Sequence, residues 1–188
     1  SRLRRSAQSA MYEILDTMVR LIAPILAFTS NEIWQAMPHD TSAETEHVML
    51  NDMHRVNPAY TLDTAEADKW ELLISLRNDV NKALELARAE KTIGKPLEAK
   101  VTLYVSDEAR KSYEKLSDMP LSTYLIVSEV ETVFGTGEGY KGEEFTGVTV
   151  RVEPSPAPKC IRCWTHSSTV GKSAEHPELC ARCAAALS

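Results

Sequence analysis

Four cysteines constrain this chain more than any other feature. Cys160, Cys163, Cys180 and Cys183 all lie in its last 29 residues, as two Cys-x-x-Cys pairs separated by sixteen residues. Two residues between cysteines let a tight turn point both sulfurs inward, and two such turns complete a tetrahedron at Zn–S distances of about 2.3 Å. The spacing matches a four-cysteine zinc signature. Two disulfides, free thiols or an iron–sulfur cluster are the other uses of such a set. Disulfide frameworks belong to small secreted domains, whereas the rest of this chain has no cysteine and reads as largely helical. The expectation is one structural zinc ion. Its closed shell leaves no position for water or substrate, so it holds shape and does not catalyse. A module of about thirty residues cannot bury a sufficient core, so the metal supplies folding energy. His166 and His176 fall inside the loop, but four thiolates already satisfy the ion.

The residues beside the ligands carry a second expectation. The knuckles read Cys160-Ile161-Arg162-Cys163-Trp164 and Leu179-Cys180-Ala181-Arg182-Cys183. Side chains that do not bind metal project outward from such turns. Arg162 and Arg182 suit phosphates or base stacking. Trp164 offers a stacking face to an unpaired base, worth about 1–3 kcal/mol per base. The alternative makes Trp164 the module's only large core residue and leaves the arginines to offset the net −2 of a four-thiolate zinc centre.

Upstream, the apolar spacing predicts a helix over residues 3–23, with Leu3, Ala7, Met11, Ile14, Leu15, Met18 and Ile22 on its inner face. Pro24 interrupts it. Thr29 and Glu32 have the spacing of a capping box for a short helix that Pro38 ends. Residues 38–63 read as an ordered loop. A long stripe follows, Trp70, Leu73, Leu76, Val80, Leu84 and Ala87, capped by Asp63 or Thr64 and stopped by Gly94 and Pro96. The period then changes. Ala99, Val101, Leu103 and Val105 alternate as in a strand, and Val130 to Phe134 and Val148 to Val152 read likewise. Asp107 caps a helix to Leu116, and a shorter helix spans Leu121 to Val127. Gly135 to Gly147 is a Gly-rich hairpin connection. Pro154-Ser155-Pro156-Ala157-Pro158 is a stiff linker to the cysteine module. The fold class expected is α+β in several parts: a partial helical bundle over 1–95, a small α/β unit over 96–153, and a linker with the zinc module over 154–188.

The formal net charge of −6 argues against a protein that coats nucleic acid generically. Charge is uneven, however. Residues 40–68 hold seven Asp or Glu and one Arg, whereas Lys159 to Cys183 holds four Lys or Arg and two Glu. An acidic chain can carry a local nucleic-acid site. Arg77, Lys82, Arg88, Lys91 and Lys95, with Arg55 upstream, could form a basic ridge. Glu85 and Glu90 dilute it, and a solvated helix face is the preferred reading. No run approaches the roughly 18 apolar residues of a membrane span. No signal peptide is expected. There is no His-Glu-x-x-His, no phosphate-binding loop and no Gly-x-Ser-x-Gly elbow, so no catalytic centre is expected.

Three stretches resemble the C-terminal part of bacterial isoleucyl-tRNA synthetases, which are class I enzymes. The first runs from Leu21 through Ala23-Pro24-Ile25-Leu26-Ala27-Phe28-Thr29-Ser30-Asn31-Glu32 to Trp34. It is similar to the helical anticodon-binding domain of class I synthetases for branched aliphatic amino acids. The second runs from Trp70 through Arg77, Val80, Lys82, Leu84 and Arg88 to Lys91, Ile93, Gly94, Leu97, Glu98 and Ala99. The third is the Cys-x-Arg-Cys-Trp and Cys-x-Arg-Cys module itself. Together they span almost the whole chain.

The resemblance implies a longer, cytoplasmic and monomeric parent that activates isoleucine with ATP and ligates it to its tRNA. The His-Ile-Gly-His and Lys-Met-Ser-Lys-Ser signatures of the catalytic domain are absent from this sequence, as is an editing domain. The opening Ser1-Arg2-Leu3 reads as the middle of a helix, so a fragment is expected. Alone it should neither adenylate nor aminoacylate. The partner implied is the tRNA for isoleucine, with no membrane and no DNA. Arg162 and Trp164 are then the residues expected at the anticodon bases or their neighbours, with Arg182 as a further RNA-binding residue.

Two other classes share some features. Formamidopyrimidine-type DNA glycosylases end in a similar zinc finger, but they need an N-terminal proline nucleophile and a Gly-Arg element before the third cysteine. Here that interval is Val170-Gly171-Lys172-Ser173-Ala174-Glu175-His176-Pro177-Glu178-Leu179. A protein-interaction zinc module is compatible with the acidic surface, though no broad apolar patch suggests it.

Overall fold

The computed structural model describes residues 2–39 and 44–187, and among them the Leu3 side chain is left undescribed. Residues 40–43 of the loop expected over 38–63 also lie outside the described residues. The chain forms two compact units, residues 1–61 and 62–188. Among the described residues, no helix is long and apolar enough to cross a membrane.

The first unit is built on α1 (Arg2–Ile22) and α2 (Ala27–Ala36). Ala23 N–H still bonds the Val19 carbonyl, and beyond Pro24 the Ile25 and Leu26 N–H groups both return to the Ile22 carbonyl. Pro24 has no N–H to continue the ladder, so the chain turns there. It re-enters helix at once, with Leu26 as N-cap and no side-chain cap. Thr29 therefore already lies in the first turn of α2, and the capping box expected from Thr29 and Glu32 does not form. The core joins Val19, Ala23, Trp34, Met37 and Val48, flanked by Tyr12 and Ile33. An ion network seals it. Arg20 pairs with Asp16 at 3.0 Å and with Glu44, and its guanidinium lies 4.6 Å from the Trp34 ring centroid.

The buried face of α1 differs from the one expected. Asp16, Val19 and Ala23 are buried, whereas Met11, Ile14, Leu15, Met18 and Leu21 are exposed. Periodicity finds every apolar stripe on a helix, but the packed face is the one its neighbours cover.

The second unit sets helices on one face of a four-stranded sheet. Its elements are α3 (Thr64–Ala89), β1 (Ala99–Val105), α4 (Asp107–Glu114), α5 (Leu121–Leu125), β2 (Glu129–Phe134), β3 (Tyr140–Lys141), β4 (Val148–Pro154) and α6 (Ala181–Ala184). The strand order is β2-β1-β4-β3. β1 runs parallel to β2, reached through the α4–α5 crossover, and antiparallel to β4. Register pairs Val101 with Val130 and Val152, and Leu103 with Thr132 and Val150. One face is thus apolar, and α3 buries Leu73, Leu76, Val80, Ala83, Leu84 and Ala87 in the same core. The long stripe, grouped from sequence with the preceding helices, packs here with the sheet.

Two helix ends also differ in detail. Ser106, one residue before Asp107, is the N-cap of α4, its side chain accepting from Ala109 N–H. α3 stops before Gly94: Lys91 adopts φ 61°. Its N–H bonds the Arg88 carbonyl, and Thr92 N–H bonds that of Ala87, which closes a Schellman cap.

Candidate metal centre and the surface around Trp164

The two knuckles are made by local hydrogen bonds. In the first, Trp164 N–H donates to the Cys160 carbonyl at 2.9 Å and Cys160 N–H to that of Thr165 at 3.0 Å. In the second, Cys180 precedes α6, and Cys183 N–H returns to the Cys180 carbonyl at 2.9 Å. Cys180 N–H also reaches the Cys160 sulfur at 3.3 Å, which ties the knuckles together.

The four sulfurs lie within 4.8 Å of one another, with Cys163 and Cys180 3.7 Å apart. A tetrahedron with Zn–S of about 2.3 Å spaces its sulfurs by about 3.8 Å. All four cysteines are free of disulfides. The donors fit a zinc ion in another respect. Burial pushes the Cys183 thiol up, and the crowd of Cys163, Cys180 and Cys160 takes it to about 12. Burial also opposes ionisation of Cys163, but the Thr165 N–H and hydroxyl and the Arg182 guanidinium outweigh it, and the thiol falls to about 6. Against its burial, Cys160 is likewise held below the ordinary thiol value by backbone N–H groups, while Cys183 resists, which is what clustered thiols do without a cation. A dication among them lets all four ionise.

Leu179 and Val170 supply the apolar packing of this module. Among the described residues the cluster is the four cysteines, without His166; the His166 ring meets the Ala157 carbonyl at 2.7 Å through Nδ1, and its backbone N–H donates to Ser128 Oγ at 2.7 Å. Ser128 in turn donates to the Leu97 carbonyl. The linker is likewise anchored, with Ser155 N–H on the Glu98 carbonyl at 2.7 Å and its hydroxyl on Glu129 at 2.6 Å. The zinc module is thereby seated on the rim of the sheet unit.

The three residues singled out from sequence divide. Arg162 donates to the Cys183 carbonyl at 3.4 Å, and Arg182 hydrogen-bonds Cys163. Arg182 thus sets its charge against Cys163, Cys180 and Cys183, whereas Arg162 meets only a backbone carbonyl of the second knuckle, and both residues keep exposed surface. Trp164 is not the core of the module: it is 57% exposed, whereas Trp34 is buried and Trp70 packs edge-on against Tyr124. It also holds φ 64°, a left-handed conformation that bulky residues rarely adopt.

Two neighbours of Trp164 escaped the sequence reading. The Lys95 and Lys159 ammoniums lie 5.6 and 5.9 Å from its ring centroid. Lys159 was visible as the residue before Cys160. Lys95 belongs in sequence to the helix ridge, and nothing local announces its approach to a residue so far along the chain. It is placed by Glu98, whose carboxylate accepts the Gly94 and Lys95 N–H groups at 2.8 and 3.1 Å.

Comparison with known proteins agrees with this architecture. Residues 1–103 match the anticodon-binding domain of tRNA ligase, and residues 158–186 match the zinc finger found in FPG and IleRS. The chain is 46% identical over 98% of its length to an isoleucine–tRNA ligase of Syntrophotalea carbinolica. It is 43% identical to one from a Thermoanaerobacter species and 40% to one from Geobacter sulfurreducens, again over 98% of its length. It spans about a fifth of the length of these relatives, 19% of the first and 20% of the others.

Proposed function

The chain belongs to the anticodon-binding domain family of tRNA ligases, and on that premise we propose that it reads the anticodon arm of the isoleucine tRNA for a longer, cytoplasmic and monomeric ligase. That longer protein would join isoleucine to its tRNA at the expense of ATP. The role of this region is recognition alone.

One observation carries the reading: an exposed tryptophan stands beside a cluster of four cysteines, in a chain that pairs an anticodon-binding domain with this type of zinc finger. Sequence-specific RNA recognition targets unstacked loop bases, which aromatic and guanidinium planes can hold. Cys160, Cys163, Cys180 and Cys183 hold the zinc, and the zinc fixes the two knuckles. Trp164 presents its face to a loop base. Arg162 and Arg182, each with donors beyond the one spent on the cluster, face the adjoining backbone.

Filter binding of isoleucine tRNA, a noncognate tRNA and duplex DNA tests this. The expected order is cognate over noncognate over DNA. Trp164→Ala should weaken cognate binding by about 5- to 100-fold, the equivalent of one lost stacking contact, with zinc content unchanged. Equal affinity in wild type and Trp164→Ala, or preference for duplex DNA, would sink the reading.

A further inference from the structure

We propose that Lys95 and Lys159 form, with Trp164, a composite nucleotide site. The ring takes one unpaired base and the two ammoniums take the phosphates that flank it. This rests on the anticodon reading above and deepens it, because it makes the sheet unit part of the RNA surface rather than a spacer. Lys95 comes from the junction of α3 and β1, whereas Lys159 and Trp164 come from the zinc module.

Three observations converge. Both ammoniums gather at the same ring, 5.6 and 5.9 Å from its centroid. Among the described residues neither forms an ion pair within 4.0 Å, unlike Lys69 and Lys100, which hold Asp118 and Glu131. Glu98 feels the charge of both, but one of its oxygens, Oε2, takes the Gly94 and Lys95 N–H groups, and neither ammonium pairs with it within 4.0 Å. Finally, Trp164 keeps φ 64° at a position where glycine would be unstrained. Strain retained at an exposed aromatic points to a use for the ring outside the fold. A compact ammonium on a flexible stem suits phosphate as a point charge, and a basic groove with a stacking aromatic is how single strands are held.

The test measures affinity for isoleucine tRNA across a salt series with the full chain, zinc content being checked for each variant. Lys95→Ala and Lys159→Ala should each weaken binding by about 3- to 10-fold at low salt and lower the slope of log K against log salt by about 0.7 to 1. Lys95→Arg should keep both. Trp164→Ala should lose affinity with the slope unchanged. If Trp164→Ala weakens binding but the lysine variants keep the wild-type slope, the lysines only pack on the ring, and this proposal falls while the anticodon reading stands. If Trp164→Ala has no effect, both fall.

Discussion

The Asp79 carboxylate accepts the Phe145 N–H at 2.7 Å from inside the core, and with it the N–H groups of Glu143 and Glu144 at 2.9 and 3.2 Å. Asp79 is 2% exposed on the packed face of α3. Its two oxygens satisfy three consecutive donors of the loop before β4, which no strand partner takes. Gly142 closes the approach, since a Cβ there would come within 2.7 Å of Asp79 Oδ2. Replacing Asp79 with Asn puts an amide donor among N–H donors. It should cost about 2–3 kcal/mol, the desolvation of a buried donor set left short of an acceptor. Urea unfolding followed by circular dichroism checks this, and an unchanged midpoint would remove Asp79 from the account.

Zinc removal should act mainly on the tail. A chelator should release one zinc per chain and expose residues 158–187 to protease, while the far-UV helix signal, dominated by α1 and α3, stays largely intact. Collapse of the whole helix signal would mean that the module is no separable part of the fold.

Glu98 gives a pH dependence whose sign is fixed. The Gly94 and Lys95 N–H groups hold its carboxyl below the ordinary value of 4.5. A carboxylate with a depressed folded-state pKa stabilises the protein fully above the unfolded value, and the contribution is lost as pH falls through the folded one. Wild type should therefore exceed Glu98→Gln in stability at pH 7, with the gap closing below about pH 4.5. Denaturant midpoints from pH 7 to pH 3 measure it, and a gap that widened on acidification would reverse the assignment.

At Trp164 stability and recognition should separate. Glycine accepts positive φ freely, whereas other residues pay about 1 kcal/mol or more. Trp164→Gly should thus hold zinc against a chelator better than Trp164→Ala, while both lose RNA binding. Equal zinc retention in the two variants would show that the left-handed turn costs nothing.

The parts that were readable beforehand are those whose cause is local. Alternation of Val101, Leu103 and Val105 marks a strand because its period is set by one strand's own geometry. The α3 stripe and the cysteine spacing are local in the same sense. The face of α1 was misjudged because two stripes compete there, and only α2 and the Val48 turn decide between them. Asp79 is legible in principle, since an acid between Leu76 and Val80 on the apolar face signals a buried carboxylate with donors to satisfy. The meeting of Lys95 with Trp164 left no trace, since tertiary closure alone brings those segments together.

The seat of the zinc module has a thermodynamic corollary. Ser128 lies between α5 and β2, so its hydroxyl meets His166 N–H only when the crossover and the sheet edge are formed. Metal uptake and sheet formation are therefore linked equilibria, each able to bias the other without being one and the same transition. Whatever tightens the sheet raises the affinity for zinc, and zinc in turn raises the melting temperature of strands it never touches, by the reciprocity that ties any ligand to the state it prefers.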